Sequence, residues 1–419
     1  MGFNFMAALG GAASQITKDI EEQEKDVKLR TRTILDRHVA ETAANRKEYK
    51  ELVEEVDSEY SYRKKIAHLL KKYDYLEVED HKYPRYFNTP NQLALSKKIS
   101  SLENCEKSLI FGSGIAAIFA SMFSFLKSGD HVVFQSSLYG GTINLILKEF
   151  KKFNIEHSLV ESLEIDDYKK EIKSNTKLIY IETPSNPLLQ IIDLELVADL
   201  AKKNDIISII DNTFASPINQ NPANYGIDII IHSATKYLGG HSDILAGTIS
   251  SSKILIDKIL ESSINYGGNL SEHTVWLLER SIKTLSLRVK AQNTNALKIA
   301  EFLNGNENIK SVYYPGLKSH PQHELAKKQM YGFGGMLSFL LKDEKKSDAF
   351  TRYLKIIKPA MSLGGVESTI TSPSLTSHSK ISKEKREKFG ISDGLLRFSV
   401  GIEDYDDLEN DLTLAFQKI

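Results

Sequence analysis

The sequence predicts an α/β protein built on a mostly parallel β-sheet with helices on both faces. Three observations lead there. Short β-branched runs, "KSLIFGSG", "DHVVFQSS", "KLIYIETP", "IISIIDNT" and "IDIIIHSAT", recur between residues 107 and 235. Helical stretches such as "GIAAIFASMFSFLKSG" and "LELVADLAKK" lie between them. The runs are apolar at consecutive rather than alternate positions, as strands buried on two faces must be.

Taken from the N-terminus, the first element is a helical arm to about residue 80. Ile16 to Tyr75 is highly charged and contains neither Pro nor Gly. Ile20, Val27 and Ile34 keep a seven-residue spacing that lapses at Glu41, which suits an extended surface helix or a weak coiled coil. Ile66, Leu69, Leu70 and Tyr73 share one helical face. The α/β texture then defines a large domain, residues 81–290. A smaller C-terminal α+β domain, residues 291–419, is expected around and after the long helix containing "RVKAQNTNALKIAEFL".

Composition removes several function classes. Fifty-four basic and 55 acidic residues leave a net charge of −1, so nothing favours nucleic acid. The single Cys105 excludes an internal disulfide framework and suits a reducing cytoplasm. No apolar run reaches the length of a membrane span, and "MGFNFMAALGGAASQ" lacks the positive n-region of a secretion signal. No membrane partner is expected.

Ligands of open α/β sheets bind beyond the carboxyl ends of the strands, so chemistry should follow each apolar run. After "LIF" come Gly112, Ser113 and Gly114, where a helix start could offer backbone N–H groups to an anion. Alone, that turn is an ordinary tight turn. "IISIID" ends at Asp211, which reads either as a helix cap or as a carboxylate facing a buried cation. "IIIHSATK" ends with Ser233, Thr235 and Lys236. Two hydroxyls there can hold phosphate oxygens, and a desolvated lysine amine can form an imine with an aldehyde. Tyr139, in "SSLYGGT", offers a ring that could stack on a flat cofactor. His232 and His241 flank the lysine, but no Cys or carboxylate stands at ligand spacing, so no metal is expected. Together the strand ends supply what pyridoxal 5′-phosphate (PLP) requires: an amine, a carboxylate for the ring nitrogen, a phosphate cradle and a stacking ring.

From about Tyr83 onward the chain resembles the Cys/Met-metabolism family of PLP-dependent enzymes, the cystathionine γ-synthase and γ-lyase group. The blocks carrying the resemblance are, in order, "YPRYFNTPN", "FGSGIAAI", "GDHVVFQSSLYGGT", "IETPSNP", "DNTFASPINQNPANYGIDIIIHSATKYLGGHSDILAG", "LLERSIKTLSLRV", "YYPGLKSHPQH", "SLGGVES" and "GLLRFSVGIED". The resemblance implies the aspartate aminotransferase-like fold (fold type I). It gives Lys236 the Schiff-base role and the transfer of protons at the substrate's α-carbon. Asp211 would pair with the ring nitrogen, while Ser233, Thr235 and the backbone of Gly114 and Ile115 would hold the phosphate. Tyr139 would stack on the ring and help protonate the leaving group. Tyr83 and Arg85 would reach the phosphate of a neighbouring subunit, which implies a homodimer or homotetramer with shared sites. Arg397, assisted by Asn186 and Ser362, would bind the α-carboxylate of an amino-acid substrate.

The implied activity is γ-replacement or γ-elimination on sulfur amino acids or O-acylhomoserine. Methionine γ-lyase and cystathionine β-lyase activities are the alternatives, and a catalytically idle scaffold with an assembly helix is the non-enzyme one. "SLGGVES" resembles the γ-acting members more than the β-lyases. Met361 stands where cystathionine-handling members often carry Glu, which favours an apolar thioether or an acylated homoserine. Gly140 and Gly141 follow Tyr139, so the cysteine seen in typical methionine γ-lyases is absent. The charged arm replaces the family's usual N-terminal segment, and "NTP" and "RSIKTL" stand where members usually have "NPT" and "RGLKTL".

Overall fold

Two sheets organise the chain in the computed structural model, which describes residues 82–377, 379 and 382–419 together with Lys18, Glu22 and Lys25. Those last three residues are helical, and the rest of the expected arm lies outside the described residues. Lys82–Ile419 cluster as one compact unit. Among the described residues no helix is long and apolar enough to cross a membrane.

The first sheet has seven strands in the order β1-β7-β6-β5-β4-β2-β3. They are β1 (Lys107–Phe111), β2 (His131–Gln135), β3 (Glu156–Val160), β4 (Thr176–Glu182), β5 (Ile207–Asp211), β6 (Ile229–His232) and β7 (Gly247–Ser251). From β3 through β6 all neighbours are parallel, and β7 runs antiparallel to both β6 and β1. The mostly parallel sheet expected from the sequence is therefore present, with one reversed strand near its edge.

Pleating explains the consecutive apolar runs. Leu178, Tyr180, Ile209, Ile229 and Ile231 enter one hydrophobic cluster, while Ile179, Ile181, Ile210 and Ile230 enter another on the opposite face. Each fully buried aliphatic side chain contributes about 1.5–3 kcal/mol, so both faces need covering helices. Helix Leu194–Lys203 covers one face with Val197, Ala198 and Ala201, and starts where Asp193 Oδ1 accepts from the Glu195 and Leu196 amides. Helix Gly114–Phe123 covers the other with Ala117, Ile118, Ala120 and Met122, capped by Ser113 Oγ accepting from Ala116 N at 3.1 Å.

The second sheet, β10-β11-β12-β9-β8, holds β8 (Ile309–Tyr313), β9 (Met336–Leu341), β10 (Lys358–Pro359), β11 (Thr369–Thr371) and β12 (Leu395–Ser399). It is antiparallel except for the β10–β11 pair. Helices Leu285–Gly305 and Tyr405–Phe416 pack Ile299, Leu303, Leu408 and Leu412 into its core. The long helix runs unbroken through residue 290. Its first turns place Leu285 and Val289 in a cluster with Ala234, Tyr237 and Leu238, just beyond β6. The helix thus belongs to the packing of both sheets.

Candidate active site

Strand register decides which residues meet. β4 and β5 pair so that Glu182 lies beside Asp211, and Asp211 in turn pairs with Ile231 of β6. The carboxyl ends of three adjacent strands therefore deliver Glu182, Asp211 and the segment Ser233–Lys236 to one edge of the sheet. That is the edge where open α/β sheets bind ligands.

Lys236 follows β6 in a turn that donates its own amide to Ser233 O at 3.0 Å. Arg288, buried on the long helix, fixes this turn by donating to Tyr237 O at 2.8 Å and Leu238 O at 3.4 Å, and also donates to Ser281 O of helix Glu272–Ile282 at 2.9 Å. The Lys236 amine reaches inward and donates to Ser362 Oγ at 3.4 Å. Burial, helped by the positive charge of Arg397, lowers its pKa below the usual lysine value. More of the amine is therefore neutral and nucleophilic near pH 7 than in water.

Arg397 on β12 is buried. Its Nη1 donates to Asn186 Oδ1 at 3.2 Å and its Nη2 to Met361 O at 2.9 Å. Among the described residues no carboxylate pairs with it, and burial pulls its pKa down to about 10. A buried guanidinium without a counter-anion is costly unless a ligand supplies one. Met361 itself is exposed.

Asp211 is also buried, with its carboxyl pushed up by loss of hydration. Its Oδ1 accepts from both the amide and the hydroxyl of Thr213, and Oδ2 takes no hydrogen bond among the described residues. Thr213 Oγ1 in turn accepts from Ser233 N at 2.8 Å, which ties the Asp211 end to the Ser233 end of the site. His232 does not act as a free ligand: its Nε2 pairs with buried Glu103. His241 Nδ1 bonds to Gly239 O at 2.7 Å. Among the described residues no three His, Cys, Asp or Glu side chains form a metal cluster.

The comparisons with known proteins meet this geometry. A family model described as "Cys/Met metabolism PLP-dependent enzyme" matches residues 37–417. A cystathionine γ-lyase of Bacillus subtilis (strain 168) is 47% identical over 340 residues, covering 81% of this chain and 89% of the relative. A cystathionine β-lyase of Lactococcus lactis subsp. cremoris (strain MG1363) is 46% identical over 345 residues, covering 82% and 90%. The crystal structure of a cystathionine γ-lyase from Lactobacillus plantarum complexed with L-serine superposes with a TM-score of 0.79 at 39% identity, covering 83% of this chain and 91% of that one.

The chain belongs to the Cys/Met metabolism family of PLP-dependent enzymes. Its fold is fold type I, its cofactor is PLP, and its chemistry is that of a carbon–sulfur lyase or transferase.

The residues present fit the cofactor of such an enzyme. A Cβ placed on Gly114 would lie 2.8 Å from Ser233 Cβ and 3.0 Å from Ser233 Oγ, so only glycine lets the helix start close onto that serine. The start of this helix, where the first amides lack intrahelical carbonyl partners and Ser113 Oγ takes that of Ala116, thus lies beside the Ser233 side chain, an arrangement suited to a phosphate. Asp211 is a buried residue whose Oδ2 takes no hydrogen bond among the described residues, which suits a cationic ring nitrogen. Ile115 is partly exposed beside Gly114. Thr235 is more constrained than expected: its hydroxyl donates to Ala246 O at 3.1 Å and accepts from Ala246 N at 3.0 Å. Its proton must turn to serve a phosphate.

Tyr139, half exposed, caps helix Gly140–Glu149 and folds back over Gly141, whose added Cβ would lie 2.4 Å from Tyr139 Cε1. Tyr83 and Arg85 make their contacts elsewhere in the chain. Arg85 Nη1 donates to Ile264 O at 2.6 Å and its guanidinium stacks on Tyr86, while Tyr83 is half exposed. Three further residues escaped the sequence reading: Glu182, Thr213 and Arg288. Glu182 carried the one usable signal, since it ends "KLIYIE" as Asp211 ends "IISIID".

Proposed function

We propose that this enzyme performs γ-elimination or γ-replacement on sulfur amino acids or O-acylhomoserine. The observation that carries the reading is the convergence of Lys236 and Arg397 on the Met361–Ser362 segment, with Ser362 Oγ bonded to the amine and Met361 O and Asn186 Oδ1 to the guanidinium. That convergence also supports catalysis over a scaffold role.

Arg397 and Asn186 orient the α-carboxylate, and the guanidinium gains the anion it otherwise lacks. Lys236, less basic than an exposed lysine, takes the α-proton and can return a proton to a neighbouring carbon. Tyr139, half exposed at the start of helix Gly140–Glu149, is the group assigned in this reading to protonate the departing sulfur or oxygen. Asp211 and Lys236 would hold PLP, which would supply an electron sink for the charge left at the α-carbon. Met361 presents no carboxylate to a distal ammonium group, which supports an apolar thioether or acylated homoserine as the preferred substrate.

The second reading is β-elimination, favoured by the Lactococcus relative, which is named as a cystathionine β-lyase. Product analysis separates the two. With cystathionine, γ-elimination yields 2-oxobutyrate, ammonia and cysteine, whereas β-elimination yields pyruvate, ammonia and homocysteine. O-acylhomoserine plus cysteine gives cystathionine if γ-replacement operates. Pyruvate as sole product would overturn the γ reading.

The division into an arm (1–80), a large domain (81–290) and a small domain (291–419) belongs to this proposal, as do a cytoplasmic setting and a homodimer or homotetramer. Exposed Tyr83, with Arg85 beside it, supports a second copy whose site these two residues complete.

A further inference from the structure

Glu182 is buried at the end of β4, and its carboxylate holds two pieces of the site at once. Oε2 accepts from Tyr139 N at 2.7 Å, and Oε1 accepts from Asn186 N at 3.1 Å. The Glu182 amide donates to Gln135 Oε1 at 3.0 Å, which pins the residue to β2. Tyr139 begins helix Gly140–Glu149, whereas Asn186 belongs to the loop after β4 and accepts from Arg397. The two have no direct hydrogen bond to each other. Their common support is one anionic side chain, placed by strand register beside Asp211.

A carboxylate is a demanding choice for that position. Burial and the neighbouring Asp211 charge both push the Glu182 carboxyl up, so the fold bears a cost to keep an acid there. Two backbone N–H groups converge on it from separate segments, and a group that accepts at two oxygens satisfies both. Glutamine can accept from only one of them and presents a donor to the other.

We propose that Glu182 is a positioning residue that sets the distance between Tyr139, at the leaving-group end, and the Asn186–Arg397 pair, at the carboxylate end of the substrate. This deepens the proposed function and rests on it for the roles of those two ends. Substrates whose leaving group lies further from the α-carbon need that spacing held, because a misplacement near 1 Å costs about 100-fold in rate.

The test uses the full-length PLP-loaded enzyme and its PLP-free form, with Glu182→Gln and Glu182→Ala. Peptide-resolved hydrogen exchange reads the amides of 139 and 186 directly. In Glu182→Ala both should exchange about tenfold faster or more, in both forms, with the β4 and β5 amides unchanged. Glu182→Gln should lose protection at one of them. Turnover with the substrate found active should fall about 100-fold in kcat for Glu182→Ala and less for Glu182→Gln, while PLP content stays near wild type. Unchanged exchange at both amides overturns the proposal. So does faster exchange spread evenly over the sheet, which marks a merely structural role. Should the wild type lack γ activity, the functional reading fails, and the exchange result still decides whether Glu182 links the two segments.

Discussion

Replacing Gly114 with alanine tests the phosphate cradle more sharply than deleting a charged residue would. The added Cβ would sit 2.8 Å from Ser233 Cβ and 3.0 Å from its Cα and Oγ. Carbon atoms prefer about 3.5–4.0 Å, so the overlap is about 0.7 Å or more. Ser233 cannot simply retreat, because its amide donates to Thr213 Oγ1, which is bonded to Asp211. The helix start must therefore withdraw, at an overpacking cost of about 1–3 kcal/mol. Withdrawal lengthens the amide and hydroxyl contacts to a bound phosphate. Losing one charge-assisted hydrogen bond is worth about 1.5–3 kcal/mol, which converts to roughly 10- to 150-fold in affinity. The assay titrates PLP into the PLP-free variant and follows absorbance, with thermal melting of the PLP-free form alongside. Gly305→Ala, where nothing lies within 4 Å of the new Cβ, serves as the control. PLP affinity of Gly114→Ala within about twofold of wild type would refute the cradle, since the predicted loss is at least one charge-assisted bond.

Other consequences follow from the same structure. Arg397→Gln removes the positive charge that helps lower the Lys236 pKa, so the pH midpoint for PLP uptake by the PLP-free enzyme should move upward; an unchanged or lower midpoint counts against the coupling. His320 is pulled from 6.5 down to about 4 by burial, so the unfolded chain takes up its proton first as pH falls. The stability tied to its neutral form is complete above about pH 6.5 and is lost towards pH 4, by at most about 3 kcal/mol. Urea unfolding at pH 7 and pH 4.5 should show that loss in wild type and a smaller one in His320→Asn. Asp411 accepts from the amides of Lys355, Ile356 and Ile357 at 2.8, 2.9 and 3.0 Å, so Asp411→Asn should cost about 2–4 kcal/mol in the same measurement, and a change below about 0.5 would deny its anchoring role. Mixing inactive Arg85→Ala and Lys236→Ala subunits should restore about a quarter of wild-type turnover if sites are shared, because half the random dimers then hold one complete site. No recovery would place Arg85 in its own subunit's site.

The α/β class and the positions of Asp211 and Lys236 were legible because parallel strands leave a strong local trace. A run such as "IISIID" is apolar on both faces, and the first polar residue after it must lie at the sheet edge. Glu182 left the same trace. Its task, however, depends on which backbone N–H groups come within reach, and that is set by the β4–β5 register and by the path of the Tyr139 loop. Thr213 was illegible for a similar reason: a threonine two residues past a strand could face either way. Arg288 reads locally as one more basic residue on a long helix, and only the folded chain gives it two carbonyls from the turn after Lys236 and a third from Ser281. The long helix also hid its double membership. Its apolar positions serve two cores in succession, so no break in the pattern announces where one ends.

The charges at the strand ends make sense only as a set awaiting ligands. In the free protein two adjacent carboxyl groups, Glu182 and Asp211, are held above their ordinary pKa by burial, while the Lys236 amine and the Arg397 guanidinium are held below theirs. The charged form of each group is penalised by lack of water and lack of an opposite charge close by. Glu182 is the best compensated of the four, since two amides donate to it. Asp211 has Thr213 on one oxygen only, and Arg397 has neutral oxygens only. Among the described residues Lys236 has only Ser362 Oγ at 3.4 Å. Asp211 and Arg397 are the groups expected to meet a cationic ring nitrogen and an anionic carboxylate, and Lys236 the one expected to meet an aldehyde. Ligand binding then relieves an electrostatic penalty already built into the fold, which is why such a site binds its ligands in a fixed orientation instead of merely admitting them.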